Sequence, residues 1–107
     1  VNKPVKTQDV ALPFSNGELR AVTWKKGRRV VVGVPELGLH CYGTSEREVV
    51  FRLFTALLKY YRQLKSHKQK LNAKGVNDLQ LLRQWVEGIE NRLTARQETA
   101  EIVSLPV

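Results

Sequence analysis

The stretch Lys25-Lys26-Gly27-Arg28-Arg29-Val30-Val31-Val32-Gly33-Val34-Pro35-Glu36-Leu37-Gly38-Leu39-His40-Cys41-Tyr42-Gly43 decides how this chain folds. Its β-branched run, Arg29 to Val34, predicts a strand, and the continuity of the valines predicts burial on both faces. Pro35 has no N–H to give a ladder, so the strand must end before it, and Gly38 suits a turn or bulge. Leu39 to Tyr42 alternates, Leu39 and Cys41 against His40 and Tyr42, which predicts a short strand closed by Gly43. Upstream, Lys25-Lys26-Gly27-Arg28 reads as a turn in which Gly27 takes the dihedral that other residues resist. Glu18 to Trp24 then supplies the partner strand, with Leu19, Ala21 and Thr23 on one face and Arg20, Val22 and Trp24 on the other.

Downstream of this hairpin the period changes from two to nearly four. Ser45 with Glu48 forms a capping box, and Glu46 and Glu48 complement the positive end of a helix dipole. Val50, Leu53, Phe54, Leu57, Tyr61 and Leu64 make one apolar stripe, which predicts a long helix lying on the sheet. A second helix is expected over 76–95, capped by Asn77 with Gln80 and striped by Leu79, Leu82, Trp85, Val86, Ile89 and Leu93. Gly88 lies inside it, at a cost of about 1 kcal/mol against Ala, and suggests a close helix approach. Glu101 to Leu105 reads as a possible final strand. Towards the N-terminus, residues 1–8 suggest a flexible arm, Val10 to Phe14 an edge strand interrupted by Pro13, and Asn16-Gly17 a tight turn. The expected architecture is a single α+β domain: a three-stranded antiparallel sheet, a long helix packed on it (β-β-β-α, residues 19–64), a second helix and a possible C-terminal strand.

Bulk properties narrow the classes of function. A chain of 107 residues that is 42% hydrophobic has material for one core. No apolar run approaches the roughly 20 residues of a membrane-crossing helix, and the polar N-terminus lacks a secretory h-region. With no Met in the chain, the native start is expected to precede Val1. The single Cys41 allows no internal disulfide and fits a reducing cytoplasmic setting. The net charge of +8 points to an acidic partner, either nucleic acid or an acidic protein, ahead of an anionic membrane surface.

The residues give catalysis little support. His40 and His67 stand at no familiar metal spacing, and neighbours in a strand such as His40 and Cys41 point to opposite faces. No glycine-rich phosphate loop with a helix-opening lysine is present. No cofactor or metal is therefore expected. The basic residues are more informative. Lys25, Lys26, Arg28 and Arg29 gather at the hairpin tip, while Arg62, Lys65, Lys68, Lys70 and Lys74 crowd the end of the first helix in greater number than its carbonyls require. Such groups suit phosphate or carboxylate pairing, with Trp24, Tyr42 or Tyr60 as stacking partners where exposed.

The central stretch resembles the N-terminal domain of HicB-type antitoxins and their solitary relatives. The resemblance rests on Val30 to Val34, Pro35-Glu36-Leu37-Gly38, Leu39 to Tyr42, Gly43, Thr44-Ser45 and the helix from Glu46 to Leu64, about half of the chain. It implies a β-β-β-α-β scaffold, often dimeric, that in toxin–antitoxin pairs blocks a small basic ribonuclease. The +8 charge departs from that family, since like charges oppose docking on a basic toxin. No ribbon-helix-helix or helix-turn-helix segment is evident after Tyr61.

Taken together, the residues suggest a small non-catalytic binding module using Lys25, Lys26, Arg28 and Arg29, with Arg62, Lys65, Lys68 and Lys70, against nucleic acid or an acidic protein. The alternative is a protein-interaction or homodimerisation module, antitoxin or assembly factor, with the second helix offering Trp85 and Ile89 as its face.

Overall fold

The computed structural model describes the backbone of residues 6–104 and the side chains of residues 6–95. The expected arm lies mostly outside the described residues. The hairpin forms with its bounds shifted: Lys25 and Lys26, expected in the turn, extend the strand, which begins at Ala21 and not at Glu18. Strands β2 (Ala21–Lys26) and β3 (Arg29–Val34) pair antiparallel with Lys26 opposite Arg29. The two residues between them form the turn, where Gly27 adopts φ 64°. Pro35 ends β3, and Gly38 at φ 70° carries the chain back into β4 (Leu39–Gly43), paired Val34 to Leu39. A further strand, β1 (Gln8–Val10), pairs with β2 through Asp9 and Val22. The sheet is therefore a four-stranded antiparallel meander in the order β1-β2-β3-β4, one strand more than expected.

The expected edge strand across Pro13 does not form. The strand stops at Val10, three residues before the proline. The expected turn at Asn16-Gly17 lies within a longer connection that leaves β1 and enters β2 only at Ala21. This connection is fastened to the helices. Trp85 Nε1 donates to Ser15 Oγ, Arg92 Nε donates to the Phe14 carbonyl at 2.7 Å, and Arg92 grips Glu18 through its two terminal guanidinium nitrogens at 2.9 and 3.1 Å.

Helix α1 (Glu46–Ser66) starts at Ser45, whose Oγ accepts from Glu48 N at 3.3 Å. Its buried stripe is Val49, Leu53, Leu57 and Leu64, with Val50 and Phe54 half-buried beside it. A single 3-10 turn, Lys68–Lys70, leads to α2 (Ala73–Ser104). That helix is capped by Asn72 and not by Asn77: Asn72 Oδ1 accepts from Gly75 N at 2.8 Å. Gly75 is thus in the first turn, where the first four N–H groups of a helix need outside acceptors. The possible strand at 101–105 is corrected as well, because residues 101–104 continue α2, and residue 105 lies outside the described residues. The segment Thr94 to Glu101 has neither Gly nor Pro, and its Ala, Arg, Gln and Glu residues favour helix.

Helix α1 buries its stripe on one face of the sheet, and α2 packs against α1 and the β1–β2 connection. Ala21, Val32 and Val34 from the strands meet Val49, Leu53 and Leu57 of α1, and these meet Leu79, Leu82, Trp85 and Ile89 of α2. Leu53 and Leu57 have no exposed surface, and burial of each leucine stabilises by about 1.5–3 kcal/mol. Phe54 meets Trp85 edge-on, with centroids 5.5 Å apart. Trp85 and Ile89 therefore belong to the chain's own core, at 0% and 7% exposure, and the expectation that they form a partner face is corrected. Gly88 opens room for something other than a helix. A Cβ there would lie 3.3 Å from Glu18 Cδ and 3.1 Å from Arg92 Nη1, so its bareness admits that ion pair.

Candidate nucleic-acid interface

Strand alternation divides the sheet into two faces. Val30, Val32, Val34, Leu39 and Cys41 point to the helices, where they join the core. The register then places Val22, Trp24 and Lys26 of β2, Arg29, Val31 and Gly33 of β3, and His40 and Tyr42 of β4 on the opposite face. They stand in rows across the strands. Lys26 pairs with Arg29; Trp24, Val31 and Tyr42 share the next row; Val22, Gly33 and His40 share the third.

Val31 and Val22 are buried at 4% and 5% exposure although they face away from the helices. The valine run is thus covered on both sides, as its composition suggests, but side chains of the sheet itself supply the second cover. Val31 floors a depression walled by Trp24, Lys26, Arg29, His40 and Tyr42. The Arg29 guanidinium lies 5.0 Å from the Tyr42 ring centroid, and the Trp24 and His40 rings are tilted against each other at 6.4 Å. Gly33 lets these rings come down onto the sheet. A Cβ there would sit 3.0 Å from His40 Cβ and 3.3 Å from Trp24 Cη2. Tyr42 is 52% exposed and Trp24 is half-buried.

The helix start steadies this face from behind. Arg52 of α1 donates to the Tyr42 carbonyl at 2.8 Å and to Glu48 Oε1 at 2.9 Å, while Thr44 Oγ1 donates to Glu48 Oε2. Glu48 is therefore engaged by its own helix and by Thr44. The one acidic residue in the strands of the open face, Asp9, is paired with Arg20 at 3.1 Å. The remaining charge of the face, Lys26 and Arg29, is positive.

The structure divides the basic residues that the sequence singles out. Lys26 and Arg29 lie on the open face, and Arg28 is exposed in the turn beside them. Lys25 points to the other side of the sheet, in a depression it shares with Thr23, Val30 and Glu46. Arg62 and Lys65 lie towards the far end of α1, and Lys68 and Lys70 in the turn beyond it, all exposed. A helix of 21 residues is about 30 Å long, so these four stand a helix length from the hairpin tip. Lys65 lies against the Tyr61 ring at 5.2 Å, and Lys74 is bound to Asp78 at 2.6 Å.

Tyr60 is not a stacking group. Its hydroxyl donates to the buried Asp78 at 2.7 Å, and burial, with the Asp78 charge and hydrogen bond, pushes its pKa up to about 12. Burial also raises the Cys41 thiol, which faces the core while His40 faces outward, so the two share no site. Among the described residues no group of three or more His, Cys, Asp or Glu is placed to hold a metal ion, and no helix is long and apolar enough to cross a membrane. Sequence reading names Trp24 and Tyr42 but misses His40, Gly33 and Val31 as parts of the same surface. Their signal is the strand register, which aligns them only once the hairpin pairing is known. The chain matches no protein-family model, and no significant match was found among curated proteins or solved structures.

Proposed function

We propose that this domain is a non-catalytic module that binds nucleic acid through the open face of its sheet and the adjoining β2–β3 turn. The observation that carries the reading is the row of Lys26 and Arg29 set directly beside the row of Trp24 and Tyr42, with no unpaired carboxylate among the strands of that face. Cations at this position pair with phosphates, and the arginine can do so through two parallel hydrogen bonds. Arg28 extends the same positive edge. Binding there is the function; Lys25 and the α1-end cations Arg62, Lys65, Lys68 and Lys70 contribute to the field that draws a polyanion in.

The net charge of +8 favours this reading over neutralisation of a basic toxin, for which the scaffold resemblance would argue. An acidic protein is the competing occupant. Fluorescence anisotropy with mixed-sequence DNA and RNA oligonucleotides separates them. Affinity should weaken steeply from low to moderate salt. Absence of binding at low salt, or a response flat in salt, removes the reading and directs the search to an acidic protein.

A further inference from the structure

We propose that the nucleic acid is single-stranded and that two of its bases stack on Trp24 and Tyr42. This rests on the nucleic-acid reading above and adds the ligand's form. The two residues share one row of the sheet, with Val31 on the strand between them, and the Trp24 ring leans toward Gly33 of the next row. Adjacent strands lie about 4.8 Å apart, so the two positions are roughly 10 Å from each other. Val31 places a small apolar floor between them, and the bare Gly33 keeps the neighbouring row low.

Burial makes the platform's chemistry specific. Phosphate binding needs only cations, and the turn supplies those. Aromatic rings held open beside cations serve a different contact, since an unpaired base offers a π-face that a duplex keeps within its own stack. Tyr42 is 52% exposed in an edge strand, with its backbone held by Arg52, so it presents a ring without needing to reorganise. Arg29 lies over one face of that ring at cation–π distance, so the base would take the other face with a positive charge held against the same ring. Four-stranded antiparallel sheets that stack bases on exposed aromatics are a general solution to single-strand recognition, although this meander reaches it by its own strand order.

The experiment compares three ligands of equal length at low salt: a mixed single strand, the same sequence as a duplex, and a single strand lacking its bases. Tryptophan emission is followed along with anisotropy. The chain has two tryptophans, and Trp85 is fully buried, so quenching by a ligand reports Trp24. The single strand should bind more tightly than the base-free strand and quench the emission. Tyr42→Ala should weaken it by about 5- to 150-fold, the worth of one stacked base, and narrow its advantage over the base-free strand by the same factor. Tyr42 is not in the core, and the wild-type quenching measurement does not depend on that variant folding. Equal binding of the based and base-free strands without quenching overturns the stacking proposal and leaves phosphate binding standing. Tighter binding of the duplex without quenching does the same. Failure of all three ligands to bind overturns both.

Discussion

The salt dependence of oligonucleotide binding discriminates between one binding surface and two, and its size follows from where the cations stand. Lys26, Arg28 and Arg29 cluster at the open-face end of the hairpin. Arg62, Lys65, Lys68 and Lys70 lie about 30 Å away at the other end of α1. A short single strand seated on the open face contacts only the first group. Each phosphate neutralised adds about 0.7 to the slope of log affinity against log salt for a single strand. Three contacts therefore give a slope of about −2, and raising salt from about 50 to 200 mM should weaken binding roughly 20-fold. Adding Lys25 and the four α1-end cations would bring the slope to about −5.6, and the same change of salt would then cost about 2,000-fold.

The variants sharpen the test. Lys26→Ala with Arg29→Ala should remove about 1.4 from the slope, while Arg62→Ala with Lys65→Ala should leave it within error. All four residues are exposed, and each double variant loses one ring contact, so stability should fall by no more than about 1 kcal/mol in either. Anisotropy titrations of a short oligonucleotide at four or five salt concentrations provide the slopes. A slope near the higher value, or one that falls with the α1-end variant and not with the hairpin variant, refutes the placement of the ligand on the sheet.

Two further predictions concern the contacts that join α2 to the rest of the fold. Tyr60 is raised to about 12 from the ordinary value of 10.0, so the unfolded chain releases the phenolic proton first. Its contribution to stability is whole below about pH 10 and is lost as pH rises towards 12; Tyr60→Phe should flatten that part of a denaturation series. Glu18 is held below its ordinary 4.5, chiefly by its hydrogen bonds from Arg92 and despite the opposing cost of burial. Its contribution is therefore present above pH 4.5 and lost as pH falls through the lowered value, and Glu18→Gln should abolish that acid dependence in urea titrations, a flat wild-type profile being the adverse result.

What could be read directly was whatever local chemistry decides. The β3 run, its termination at Pro35, the turn glycines and the Ser45 cap are each set by residues within a few positions of one another, whereas the Glu48 carboxylate of the expected capping box accepts instead from Thr44 and Arg52. Strand β1 was not legible because Gln8-Asp9-Val10 has one apolar residue; it exists because β2 offers an edge for it to pair with. The fate of the second helix was equally non-local. Its stripe of Trp85 and Ile89 suits a partner face or a core, and the choice is made by α1 and by Ser15, seventy positions away in the chain from Trp85. The candidate surface illustrates the same division. Trp24, Lys26, Arg29 and Tyr42 are individually ordinary in a strand, and only the register brings them into adjoining rows.

The distribution of burial is what makes that surface more than a solvated face of the sheet. An antiparallel sheet with helices on one side ordinarily presents alternating polar residues on the other. Here the second side carries Val22 and Val31, both nearly inaccessible, and Val31 floors a depression walled by Trp24, Arg29, His40 and Tyr42. Aromatic groups in that position protect the sheet's apolar floor while keeping part of their own surface in water, as Tyr42 does at 52% exposure. The same rings that complete the fold are thereby held in fixed places beside Lys26 and Arg29. A ligand that stacks on them extends the cover over Val31 without first ordering a loop, so little of its binding energy is spent on arranging the site. Stability of the hairpin and affinity for the ligand should accordingly be coupled: replacing Val31 by alanine, which removes the floor and not a contact group, should lower both.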